Sequence, residues 1–248
     1  IYNDSSATMT VSNSTISYNT AKGGTFGFGG GIYNDTFATM TVSNSTISGN
    51  TAKSGAFYGD GDGNGGGIYN YDGTVTVSNC TISDNAAKGD YSNGGGIYND
   101  SSATMTVSNS TISGNTAKSG AFDGNGGGIY NDRSATMSVS NSTISGNEAH
   151  FGGGISNDGT LRVGNSIIRH NKAFGIELSS SREESGDGGG IYNSSYGTAT
   201  VDYSTIACNF DTPQEDSNKH IKSDDVAGKF ITKHHHNRIG NLSGSTGF

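Results

Sequence analysis

Apolar residues are scarce in this chain, with only 30% of 248 positions hydrophobic and no tryptophan. No apolar stretch is long enough to span a bilayer, so this segment is not expected to insert in a membrane. Cysteine is also scarce. Cys80 and Cys208 fall at different phases of a repeat and four repeats apart, about 19 Å at ~4.8 Å per stacked coil, too far for an intrachain disulfide. Positive charge is the third shortage, with 14 Lys and Arg against 22 Asp and Glu and a net charge of −8. Residues 1–209 carry 9 basic and 17 acidic residues, the whole imbalance, whereas 210–248 carry five of each. An acidic surface of this kind disfavours nucleic acid and anionic membrane as partners. Helical periodicity is missing throughout.

What is present is repetition. A glycine-rich run, then Ile-Tyr-Asn, then Val-Ser-Asn-Ser-Thr-Ile-Ser-Gly-Asn or a close variant recurs from Ile1, Ile32, Ile68, Ile97, Ile129, Ile155 and Ile191, spaced by 26–36 residues. Such a period marks a stacked-repeat architecture, in which each unit buries its apolar face against its neighbours. Inside a repeat the apolar residues alternate. Met9 and Val11 share one face and Thr8 and Thr10 the other; Ile16 points inward between Thr15 and Ser17. This is the period of a strand. Three short strands per repeat are predicted, each pairing with its counterpart in the next coil, because no other partner is available for their backbone groups. Parallel crossovers wind right-handed. The predicted fold is therefore all-β, a right-handed parallel β-helix of the pectin-lyase-like, single-stranded solenoid type. About seven coils fill residues 1–209, followed by a divergent cap or docking segment at 210–248. Asn13, Asn44, Asn79, Asn109, Asn141 and Asn165 are predicted to form an internal amide ladder that breaks at Tyr203. Length variation collects after Asn-Thr-Ala-Lys, in a loop predicted to protrude from the stack. The chain starts inside a repeat, without Met, as a processed product or fragment would.

The Gly29–Asn34 and Val42–Ala52 phrases resemble those of the right-handed parallel β-helix repeat proteins of bacterial surfaces, including the chlamydial polymorphic outer-membrane proteins. The tail phrase from Asn237 to Phe248 resembles the closing segment of anchor-bearing members. The resemblance implies an extracellular or cell-surface protein, secreted or attached, for which adhesion is the usual inference.

Polysaccharide lyases and hydrolases share this fold, and their chemistry needs clustered carboxylates or a basic residue on one outward face. No strand position in the repeats carries a carboxylate pair. Asp224-Asp225 lies in the tail, and His150 and His170 sit at bends without an acidic partner at matching phase. The sixth coil is the least regular (Leu161, Arg162, Ile167, Arg169, His170, Glu177) and reads as drift near a stack end. His234-His235-His236 reads as a solvated run.

Three outward features remain. Tyr2, Tyr33, Tyr69, Tyr98, Tyr130 and Tyr192 share one phase, interrupted at Ser156. They predict an aromatic stripe suited to sugar stacking or protein contact, unless the protruding loops cover it. Thr8/Thr10, Thr39/Thr41, Thr74/Thr76, Thr104/Thr106 and Thr198/Thr200 predict a flat hydroxyl grid of the kind that binds ice, interrupted by Arg162. Asp60, Asp62 and Asn64 have the oxygen spacing of the first half of a calcium loop. With Asn93, Asp123 and Asn125 they define a candidate Ca²⁺ site shared between coils, weighed against a plain acidic loop. The leading expectation is a non-enzymatic, extracellular structural or adhesive protein that assembles end to end into a surface fibre. Its partners would be copies of itself, surface glycans, or host or neighbour-cell proteins. Glycan binding by the Tyr ladder and ice binding by the Thr grid are the alternatives, and a polysaccharide-active enzyme ranks last.

Overall fold

The computed structural model describes residues 1–55, 61–119, 124–174, 188–212, 225–231, 237–240 and 245–246. The described chain is a solenoid of parallel sheets. Ile-Tyr-Asn strands such as Ile68–Tyr71 pair with Ile32–Asn34 below and Ile97–Asp100 above, residue for residue. The five-residue strands behave alike, with Thr74–Ser78 flanked by Thr39–Ser43 and Thr104–Ser108. So do the Thr-Ile-Ser strands, as in Thr81–Ser83 between Thr46–Ser48 and Thr111–Ser113. Because the register is one repeat for every strand, each side-chain type stacks on itself. The core is a set of such columns. Ile32, Ile68, Ile97, Ile129, Ile155 and Ile191 form one, Val42, Val77, Val107, Val139, Val163 and Val201 another, and all are fully buried.

A fourth strand completes the coil. Thr51–Lys53, Ala86–Gly89 and Thr116–Ser119 pair in parallel, with Ala52, Ala87 and Ala117 wholly buried. The sequence pattern gives three strands per repeat and none to this segment, which directly precedes the predicted loop, because one inward alanine is too small to register as alternation. Beyond it, Phe26–Phe28, Asp62–Asn64, Tyr91–Asn93 and Gly124–Asn125 form a short four-stranded arm beside the first four coils.

The internal amide ladders are not the predicted one. Asn13, Asn44, Asn79, Asn109, Asn141 and Asn165 lie exposed at the corner before the Thr-Ile-Ser strand, all with φ between 48° and 54°. Asparagine is chosen there because it tolerates the left-handed backbone. The buried ladders use other asparagines. Asn34 donates to Asn70, Asn70 to Asn99, Asn99 to Asn131 and Asn131 to Asn157, at 2.8–3.0 Å. A second ladder runs through Asn50, Asn85, Asn115, Asn147, Asn171 and Asn209 at 2.9–3.0 Å. In it the next coil's amide oxygen also accepts the backbone N–H, as in Asn85 N to Asn115 Oδ1 at 3.0 Å.

That second ladder explains the third glycine of each Gly-Gly-Gly-Ile run. A Cβ at Gly67, Gly96 or Gly128 would lie 3.0–3.1 Å from the amide of Asn85, Asn115 or Asn147, and 2.6–2.7 Å from a neighbouring glycine carbonyl. In the final layer the same position is Asp225, whose backbone carbonyl accepts from Ile191 N as Gly190 accepts from Ile155 N. The Asp225 carboxylate ends the ladder, taking both the backbone and side-chain N–H of Asn209 at 2.8 Å. Asp225 is thus buried in the stack and not outside its regular coils; Asp224 lies outside the described residues. The tail adds a partial eighth layer: Val226–Ile231 pairs with both Ile191–Asn193 and Ala199–Thr200, and Arg238–Ile239 pairs with Thr205–Ile206.

Candidate binding cleft

The tyrosine stripe is built as one in-register column, Tyr2 to Tyr33 to Tyr69 to Tyr98 to Tyr130, followed by Ser156 and Tyr192. It is not an open surface. Tyr69, Tyr98 and Tyr130 are buried, at 3–7% exposure, while Tyr2 is exposed and Tyr33 and Tyr192 are half-buried. The arm strands cover the column, with Phe28 stacked on Tyr69 at 4.8 Å between ring centroids.

Two residues after Tyr2, Tyr33, Tyr98 and Tyr130, on the same face of the strand, stands an aspartate. Four of the phenols donate to the aspartate of the following coil: Tyr2 to Asp35, Tyr69 to Asp100, Tyr98 to Asp132 at 3.0 Å and Tyr130 to Asp158 at 2.8 Å. This pairing sets the electrostatics of the face. The hydrogen bond from Tyr2 holds the Asp35 carboxyl below its ordinary range. Burial, with the nearby Asp35 carboxylate, lifts the Tyr33 phenol to about 12. Asp132 is pushed above the ordinary range, first by burial and then by the Asp100 carboxyl beside it.

The third coil breaks the pattern. Its Ile-Tyr-Asn is followed by Tyr71, in register with Asp100, where the first, second, fourth and fifth coils carry aspartate. The position that Tyr33 would reach in the following coil is therefore held by Tyr71 and not by a carboxylate. In the arm, the first coil offers Phe26 and Phe28 where the second has Asp62 and Asn64. Between arm and sheet these substitutions leave a cleft of about 460 Å³. Phe26, Phe28, Tyr33, Tyr69, Tyr71 and Tyr98 supply its walls, and Asp62, Asn64 and Asp100 its polar groups. Phe26 is 51% exposed and Tyr71 38%, so the mouth presents aromatic surface to solvent.

A family model for right-handed β-helix regions matches residues 1–212. The chain belongs to the right-handed β-helix family. No curated protein and no solved structure matches it.

Within this β-helix the other sequence-predicted sites resolve as follows. Asp60 and Asp123 of the candidate Ca²⁺ site lie outside the described residues. Asn64, Asn93 and Asn125 do stack, but their amides bond one another. Asn93 N donates to Asn64 Oδ1 at 3.0 Å and Asn125 Nδ2 to Asn93 Oδ1 at 2.9 Å. Those oxygens accept the N–H groups of a third amide ladder. Asp62 stands in the cleft. Among the described residues no three His, Cys, Asp or Glu side chains gather as metal ligands would. The Thr-x-Thr pairs stack in register on the five-residue strands, and Arg162 interrupts them, its guanidinium 4.0 Å from the Asp202 carboxylate. The sixth-coil cluster is spread out: Leu161 is buried, whereas Arg162, Ile167, Arg169 and His170 are exposed along two strands and a corner; His150, in the coil before, is buried. Glu177 and the His234–His236 run lie outside the described residues. Tyr71, Asp100, Phe26 and Phe28 escaped sequence reading. Their signal was Ile-Tyr-Asn-Tyr in place of Ile-Tyr-Asn-Asp, and Phe-Gly-Phe at the phase of Asp-Gly-Asn.

Proposed function

We propose that this β-helix is a non-enzymatic, extracellular adhesive domain that holds glycan in the aromatic cleft of its first four coils. The observation that carries the reading is the cleft itself, with exposed rings at its mouth and carboxylate and amide groups within reach of them. Sugars are bound by stacking their CH faces on aromatic rings while their hydroxyls bond carboxylates and amides. The rigid, in-register stack supplies preorganisation, so little ordering cost is added on binding. The phrase-level resemblance to bacterial surface β-helices supports the extracellular placement.

Glycan-array binding followed by titration calorimetry tests this. Phe26→Ala combined with Tyr71→Ala, which touches exposed rings only, is expected to abolish binding without altering the circular dichroism spectrum. Tyr69→Ala is unsuitable for that purpose, since its ring is buried and its hydroxyl serves Asp100. A wild-type chain that binds no glycan rejects the reading.

A second reading, end-to-end assembly into a fibre, is supported by the identity of successive coils. Any coil surface that accepts its neighbour in this register also accepts the equivalent surface of another copy. Electron microscopy over a concentration series decides it, with filaments expected and dispersed short rods counting against it.

A further inference from the structure

The cleft has a sign of charge as well as a shape. Among the described residues its ionisable lining groups are Asp62, Asp100 and tyrosine phenols, with no lysine, arginine or histidine. The aromatic faces add to this, because a ring presents its negative quadrupole to whatever stacks on it. An acidic or sulfated sugar is disfavoured here on both counts. Register fixes where the charges stand. Asp62 is in register with Phe26 of the preceding coil, and Asp100 with Tyr71. In the arm and in the sheet alike, an aromatic side chain and a carboxylate are therefore one coil apart, about 4.8 Å. A pyranose ring laid on the aromatic plane brings a substituent amine against the neighbouring carboxylate.

We infer that the cleft is selective for protonated amino sugars, a β-1,4-linked glucosamine oligomer being the simplest, with Asp62 and Asp100 receiving the ammonium group. This rests on the glycan reading above and names the sugar class. An ammonium on a carboxylate makes a charge-assisted hydrogen bond, roughly twice as strong as the neutral bonds that a hydroxyl or an N-acetyl group would make there. Partial enclosure by rings shields the pair from the salt screening that weakens exposed ion pairs.

The test is calorimetric titration of the whole chain with glucosamine tetramer, its N-acetylated counterpart, cellotetraose and tetramethylammonium. Mildly acidic buffer keeps the amine protonated. Glucosamine tetramer is expected to bind about tenfold or more tightly than either neutral tetramer. Asp62→Asn with Asp100→Asn is expected to erase that preference, so that glucosamine tetramer binds no more tightly than the neutral tetramers do to the same variant. Asparagine at 100 still accepts the Tyr69 hydroxyl, so the fold is retained, and circular dichroism checks it. Equal binding of charged and neutral tetramers overturns the amino-sugar assignment while glycan binding stands. Binding of tetramethylammonium as tight as that of glucosamine tetramer also overturns it, because the sugar ring would then contribute nothing. Failure of every tetramer to bind removes the glycan reading and this inference together.

Discussion

The asparagines of this chain have two distinct jobs that look alike in sequence. Those before the Thr-Ile-Ser strands are exposed and serve a left-handed corner; those closing the same strands are buried and hydrogen-bonded from the second coil onward. Sequence reading found that asparagine marks the bends and chose the wrong set for the ladder, because both sets recur once per coil. Asn115 shows what the buried set supports. Its oxygen accepts the backbone and side-chain N–H of Asn85, and its nitrogen reaches Asn147 and the Ile82 carbonyl. Asn115→Ala strands the Asn85 backbone N–H in the interior, where an unsatisfied donor costs about 1–3 kcal/mol. With the lost bonds added, a destabilisation of about 3 kcal/mol or more is expected in chemical denaturation. Asn109→Ala touches only the corner and should cost less. Asp132 offers a pH test at the same scale. Its folded carboxyl holds its proton above the unfolded value of 3.8, so ionisation opposes folding, and stability falls as pH rises through that value toward the folded one. Asp132→Asn keeps an acceptor for the Tyr98 hydroxyl. It is expected to raise the thermal midpoint at neutral pH and to leave it unchanged in acid below both values.

Among the strands, legibility followed side-chain size. The Ile, Met and Val columns announced themselves by alternation, and the strands they define stand where the pattern put them. The Thr-Ala-Lys strand was missed because its one inward residue is alanine, and alanine carries little hydrophobic signal. The space it fills is small in the structure too, with Ala117 fully buried and stacked in register on Ala87. Ala117→Leu overpacks that seam and should cost about 1–3 kcal/mol, whereas a loop residue would tolerate the change. Cys80 tests another column. It occupies the serine position that precedes Thr-Ile-Ser, its N–H donating to Ser110 Oγ at 3.1 Å and its thiol bonding the Ser78 carbonyl at 3.1 Å. Burial pushes that thiol up, which keeps it protonated and unreactive. A thiol reagent on the native chain is expected to label the exposed Cys208 and to reach Cys80 only on unfolding. Prompt labelling of both would mean that the third-strand column opens readily.

At the scale of the whole molecule the sequence was most informative about what repeats and least informative about what departs from repetition. The fold follows from the period alone, because every coil offers its neighbours the same columns. The cleft follows from three departures, Phe26, Phe28 and Tyr71, and single departures are invisible until register brings them together. The balance between period and exception is testable by removing one coil. Deleting residues 97–128 joins Gly96 to Ile129, and each column then closes over the gap. Ile68 meets Ile129, Val77 meets Val139, Asn70 bonds Asn131, and Asn85 bonds Asn147, all pairs of one type that stand two layers apart in the present register. The cleft closes over it too, since Tyr130 takes the phase of Tyr98 and Asp132 that of Asp100. The shortened chain is therefore expected to unfold cooperatively, at a lower denaturant midpoint because one nearest-neighbour interface is gone, and to bind the same ligands as the parent. If it instead fails to fold while Asn109→Ala and other corner variants fold normally, the coils are specified by contacts peculiar to each and not by their shared columns.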